Sequence, residues 1–219
     1  MMPMQGRKVL AEFVGTAILV ATVVGSGIMA TNLTKDVGLQ LLINALATIF
    51  SLGILIALLG PISGAHFNPA VSLVERIFSR LTVSLTLLYI AAQIIGGVAG
   101  TVIANLMFKH SAINASHHQR NGVNLFLGEV VATAGLLFII TLLTKQKRGA
   151  IAPILIPLWI GAAYFFTSST SFANPAVTFA RAWSDTFSGI ALASVPAFIL
   201  AQLIGASAGT LLALGVTND

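Results

Sequence analysis

Ser63-Gly64-Ala65-His66-Phe67-Asn68-Pro69-Ala70-Val71-Ser72 and Thr170-Ser171-Phe172-Ala173-Asn174-Pro175-Ala176-Val177-Thr178 share one triplet, Asn-Pro-Ala. The triplet reads as a helix start. Asparagine is a preferred N-cap, and proline is tolerated at the first helical position because its missing N–H would be unpaired there anyway. Apolar residues follow both copies, so two equivalent short helices begin at Asn68 and Asn174. In a hydrophobic chain, short helices in corresponding halves point to a permeation or binding site at the middle of the bilayer.

The surrounding composition supplies that bilayer. The chain has 219 residues, of which 57% are hydrophobic and 8% charged, whereas soluble domains carry about 25% charged residues. It reads as an integral membrane protein. Its continuous Leu/Ile/Ala/Val/Gly runs reach the ~20 residues that a helical span needs, and they lack the alternation of a transmembrane barrel strand. The first run, from Val9 to about Ala30, exceeds the h-region of a cleaved signal and is read as a span. The net charge of +5 is scattered over helix ends, which reads as topology and not as a nucleic-acid patch. With no cysteine, disulfides, thiolate metal sites and thiol catalysis are excluded, and no cofactor is expected.

Six spans are expected at roughly 8–30, 37–59, 82–108, 123–144, 150–168 and 187–214. Two pieces remain, from Asn68 to about Phe78 and from Asn174 to about Trp183. At about 10 residues, or about 15 Å, each reaches only half the depth of a membrane and must dip in without crossing. Arg7, Lys8, Arg76, Arg80, Lys145, Lys147 and Arg148 fall on one side, while Lys35, Lys109, Arg120 and Arg181 fall on the other. The positive-inside bias therefore puts both termini in the cytoplasm. A second match, Ala92-Gln93-Ile94-Ile95-Gly96 with Ala201-Gln202-Leu203-Ile204-Gly205, marks an internal repeat of about 1–110 and 120–219 within one channel domain. Three spans per copy is an odd number, so the second copy enters the membrane inverted.

The two Asn-Pro-Ala motifs, the Ser63-Gly64-Ala65-His66 lead-in, Ala11-Glu12-Phe13-Val14-Gly15-Thr16 and Gly128-Glu129 resemble the major intrinsic proteins, the aquaporin and aquaglyceroporin family, over essentially the whole chain. The resemblance implies an all-α membrane fold of six spans and two re-entrant half helices in an inverted repeat. It also implies an hourglass pore with Asn68 and Asn174 at its midpoint, an inner-membrane location and commonly a homotetramer; an intramembrane enzyme is not expected, because no Ser/His or His/Glu spacing suits a nucleophile with its base or a metal site. Apposed helix amino ends and asparagine amides would favour small neutral solutes and repel ions.

Against that family pattern this chain departs at the filter. Val177 stands directly after the second Asn-Pro-Ala, where most relatives place an arginine, and Thr48 stands where a bulky aromatic is usual. Ser171 is the third filter position, and the fourth falls among Tyr164, Phe165, Thr167 and Ser168, with Ser168 taken as its holder. Losing an aromatic and an arginine together widens the constriction unless another side chain folds in. The pattern through Ser168-Ser169-Thr170-Ser171 to Arg181 and Asp185 is similar to bacterial aquaglyceroporins associated with arsenic resistance, which implies uncharged metalloid acids and small organic arsenicals as cargo. A water-selective aquaporin is the alternative, and a proton-coupled transporter a more distant one.

Other residues are weighed by the same chemistry. Glu12 and Glu129 lie inside spans, where carboxylates are costly; the expected role is to accept hydrogen bonds from the re-entrant loops, with a proton relay as the competitor. Arg181 lies four residues from both Val177 and Asp185, so it either lines the pore or pairs with Asp185, and the ion pair is favoured. His66 is expected to line the pore, against a packed loop histidine. His110, His117 and His118 are read as a solvated loop and not a metal site or pH gate.

Overall fold

A computed structural model describes residues 3–217. The described residues form eight α-helices: α1 Met4–Leu33, α2 Val37–Ser63, α3 Pro69–Ile77, α4 Val83–Met107, α5 Val123–Lys145, α6 Ala152–Phe166, α7 Pro175–Arg181 and α8 Val195–Val216. Six of these elements are long and apolar enough to cross a membrane, with α6 and α8 each extended by a preceding 3-10 turn. The helices α3 and α7 are the two short ones. The fold is an all-α membrane fold of six spans and two half helices, in which α5 to α8 repeat α1 to α4 upside down.

Local chemistry sets the helix ends. Asp36 caps α2 by accepting the Leu39 N–H at 2.8 Å, and Thr82 caps α4 by accepting the Leu85 N–H at 3.2 Å. At its far end α2 stops at Gly64, whose φ of +93° is left-handed, a conformation that glycine adopts without a Cβ clash. Pro69 and Pro175 open the two half helices behind their asparagine caps.

Within each repeat the first and last helices pack most closely, α1 on α4 and α5 on α8. A Cβ on Gly96 or Gly100 would sit 2.4 Å from the Phe13 carbonyl oxygen or 2.2 Å from that of Ala17. On Gly205 or Gly209 it would sit 2.4 Å from the Val130 carbonyl oxygen or 1.9 Å from that of Ala134. Glycine spaced by four is therefore what lets the backbones touch, as in other small-residue membrane contacts.

The expected spans match the helices except at the last. Residues 187–191 do not extend α8 toward the start of the chain; a 3-10 turn at Leu192–Ser194 precedes α8, and Ser188 to Ala191 lie buried in irregular chain. Hydropathy cannot see the reason. The carbonyls of Phe187, Ser188 and Gly189 are accepting from Arg120 and Arg181, and the Ala191 N–H donates to the His118 carbonyl at 2.7 Å. The Ala191 N–H is thereby withdrawn from a helical bond to the Phe187 carbonyl, and the arginines satisfy carbonyls that the irregular chain leaves open.

Candidate functional site: a lumen between the two half helices

Each asparagine cap does two things at once. Asn68 Oδ1 accepts the Ala70 N–H at 2.9 Å, while Asn174 Oδ1 accepts those of Ala176 and Val177 at 3.0 and 3.2 Å. The amide nitrogens then cross over. Asn68 Nδ2 donates to the Ala173 carbonyl at 2.8 Å, and Asn174 Nδ2 donates to the Phe67 carbonyl at 2.7 Å. Each amide has two N–H donors, so one on each asparagine remains for a guest. The pair lies on the wall of a cavity of about 700 Å³.

Two buried carboxylates hold the loops that carry these caps. Glu12 accepts from Ser63 Oγ at 2.6 Å and the His66 N–H at 3.0 Å through one oxygen, and from the Phe67 N–H at 2.7 Å and Gln93 Nε2 at 2.8 Å through the other. Glu129 accepts the Phe172 and Ala173 N–H groups, both at 2.9 Å, and Gln202 Nε2 at 2.6 Å. The loops need such anchors. Ala65 and Phe67 in one, and Thr170, Ser171 and Ala173 in the other, hold positive φ between 47° and 62°, which costs non-glycine residues roughly 1–3 kcal/mol each. Gln93 and Gln202 belong to no motif singled out in the sequence, although they occupy matching places in the quoted repeat. Each also donates to a half-helix hydroxyl, Ser72 Oγ at 3.0 Å and Thr178 Oγ1 at 2.8 Å.

The cavity runs from Gly60 and Glu75 past His66 and the asparagines to Thr48, Tyr164, Ser171, Val177 and Arg181. His66 stays partly open to the lumen, its Nδ1 3.0 Å from Ser72 Oγ and its ring edge-on to Tyr89. Thr48 sends its single hydroxyl proton to the Asn44 carbonyl at 2.8 Å, so Tyr164 must be the donor in their 3.2 Å contact. That leaves the Tyr164 oxygen an acceptor. Ser171 Oγ is buried without a partner among the described residues.

Two expectations change here. Ser168 is not in the cavity; it is exposed and its hydroxyl donates to the Asn124 carbonyl at 2.7 Å, while Tyr164 from α6 faces the lumen. Arg181 does not pair with Asp185. The Asp185 carboxylate instead accepts the His117 N–H at 2.9 Å and lies 3.1 Å from His117 Nδ1 and 4.0 Å from His118 Nε2, and these hydrogen bonds hold its carboxyl below the usual range. The histidine side chains stay solvent-exposed, as expected, while the loop that carries them is pinned to the segment after α7. Arg181 turns inward: its Nε donates to the Ser188 carbonyl and its guanidinium carbon lies 3.4 Å over the centre of the Phe172 ring. Arg120, from the same histidine-bearing loop, reaches the Phe172 ring at 5.1 Å.

Comparison with known proteins follows the same lines. The family described as Major intrinsic protein matches residues 2–172. An aquaglyceroporin, AqpS, of Rhizobium meliloti (strain 1021) is 49% identical over 200 residues, covering 91% of this chain and 85% of its own. Aquaporin TIP1-1 of Arabidopsis thaliana is 33% identical over 187 residues, covering 80% and 74%. The X-ray structure of the aquaglyceroporin from Plasmodium falciparum superposes with a TM-score of 0.65 over 95% of this chain and 94% of that one, at 20% identity, a likeness of fold alone.

Proposed function

The chain belongs to the major intrinsic protein family, whose members are channels and not enzymes, and on that premise we propose a passive conduit for water, glycerol and small uncharged metalloid hydroxides such as arsenous acid or small organic arsenicals. The observation that carries this reading is the crossed pair of asparagine bonds, Asn68 to Ala173 and Asn174 to Phe67, on the wall of a cavity. That wall is mostly apolar. Its sparse polar groups, the spare asparagine N–H donors, the Tyr164 oxygen and Ser171 Oγ, suit a molecule that carries hydroxyls and no charge. The name of the Rhizobium meliloti relative supports glycerol as a substrate.

Glu12 and Glu129 are the anchors of the re-entrant loops in this account. Their oxygens are occupied by backbone and glutamine donors, which leaves no free carboxylate to couple a proton or sodium ion, as a secondary transporter requires. The two repeats form one channel, with both termini on the cytoplasmic side of the inner membrane, and four copies assemble side by side.

Light-scattering measurements on proteoliposomes decide the substrate range. Water, glycerol, urea and arsenous acid are applied in turn; fast shrinkage in water with recovery in glycerol and arsenous acid is expected. Fast water flux with glycerol and arsenous acid both excluded would establish the water-selective alternative, which the Tyr164 hydroxyl in the cavity wall favours.

A further inference from the structure

Arg181 is an unusual group to find where it lies. It is 3% exposed, and among the described residues it makes no ion pair. The nearest candidate counter-ion in sequence, Asp185, is committed to the histidine loop. A buried cation without a partner anion is costly and is retained at a membrane depth where it faces water or a substrate path. Three features lower that cost: the Ser188 carbonyl on Nε, the Phe172 ring beneath the guanidinium, and the cavity beside it. Cations stack well on an aromatic face. Arg120 is the contrasting case, since its Nε and one Nη are held by the Gly189 and Phe187 carbonyls. The Arg181 Nη groups donate no hydrogen bond among the described residues.

Helix geometry explains how this arginine reaches the lumen. Val177 lines the cavity one turn earlier on the same face of α7, and positions four apart on a helix lie one above the other. A short valine side chain leaves the room that a longer one at 181 can fill. The aromatic wall is supplied in the same displaced way, by Phe172 from the loop and by Tyr164 from α6, opposite Thr48.

We propose that Arg181, stacked on Phe172 and backed by Arg120, is the specificity-determining cation of the constriction on the α7 side, supplying from one turn further along the charge that Val177 does not. This rests on the channel reading above and adds to it the residue that excludes cations and orients hydroxylated solutes. Its Nη donors, together with Ser171 Oγ, face a neutral guest as it passes, while the fixed positive charge on the mostly apolar cavity wall raises the barrier to sodium and potassium.

The test uses full-length protein in liposomes loaded with a potassium-sensitive dye, with glycerol uptake followed in parallel by light scattering. Wild type is compared with Arg181→Met and with the exchange Val177→Arg/Arg181→Val. Arg181→Met is expected to gain potassium leak of about tenfold or more and to lose part of the glycerol flux with the donors that orient the solute, and the exchange to return the leak to the wild-type level. A purely structural arginine predicts the opposite pattern for the exchange, because an arginine moved to position 177 cannot reach the Ser188 carbonyl from a turn away. Folded Arg181→Met that conducts glycerol and remains tight to potassium overturns the assignment, as does an exchange variant that conducts and leaks. Should Arg181→Met not fold, Phe172→Leu decides, since it keeps the arginine and removes the ring beneath it: a leak supports the assignment and tightness overturns it. A wild type that passes neither water nor glycerol contradicts the channel reading itself, not the role of Arg181.

Discussion

Replacing Glu12 by glutamine changes one atom and loads the whole re-entrant loop. The carboxylate accepts from Ser63 Oγ and the His66 N–H on one oxygen, and from the Phe67 N–H and Gln93 Nε2 on the other. An amide nitrogen cannot accept, so whichever oxygen it replaces, one backbone N–H and one side-chain donor lose their partner. A buried donor left unpaired costs about 1–3 kcal/mol, and the side chain can rotate away, so the total is about 2–4 kcal/mol. For a chain of this length that corresponds to a fall of roughly 5–15 °C in the thermal midpoint. The damage reaches the lumen because Phe67 is shared: its N–H is held by Glu12 while its carbonyl is held by Asn174 Nδ2. Glycerol flux per folded channel is therefore expected to fall several-fold in Glu12→Gln, measured by stopped-flow alongside the melting curve of the purified protein. An unchanged midpoint, with a wild-type flux that follows an imposed proton gradient and a mutant flux that does not, would refute the scaffold reasoning in favour of a relay.

Gly209→Ala is expected to prevent a stable fold, since the new methyl would sit 1.9 Å from the Ala134 carbonyl oxygen and must drive α5 and α8 apart; size-exclusion chromatography of the detergent-solubilised protein reads this. Tyr164→Phe removes one neutral hydrogen bond, worth about 1 kcal/mol, and leaves Thr48 bonded to Asn44, so stability should barely move while the ratio of glycerol to water flux shifts upward. The clasp between Asp185 and the His117 N–H should persist from neutral pH down through the ordinary carboxylate range: the carboxyl is held low by its hydrogen bonds, so its contribution is present above the unfolded pKa and is lost only as pH falls through the lower folded value. Hydrogen exchange at the His117 amide, slow at neutral pH and faster in Asp185→Asn, measures it.

The caps are legible in the sequence because they are local. Asn68, Pro69, Asn174 and Pro175 announce helix starts by backbone chemistry alone, and the structure begins α3 and α7 at the two prolines. Six spans are legible from hydropathy, and the glycine spacing from the need of helices to touch. The partners of charged groups are not. Arg181 and Asp185 sit at helical spacing, yet α7 ends at Arg181, so the i, i+4 geometry that an ion pair needs does not exist beyond it. Asp185 finds its partners in a loop remote in sequence. Tyr164 is one of four candidates between Tyr164 and Ser168, and only the end of α6 at Phe166 fixes which side chain points inward. The glutamines Gln93 and Gln202 show a signal that sequence does contain: identical polar residues at repeat-equivalent places inside spans.

The central claim is that the paired caps frame an open path for neutral molecules with no coupled ion. The most direct test is the concentration dependence of glycerol entry into proteoliposomes, taken up to high concentration with and without a protonophore. Flux that rises linearly and ignores the protonophore is the result this account predicts; flux that saturates, or collapses when the proton gradient is dissipated, would contradict it.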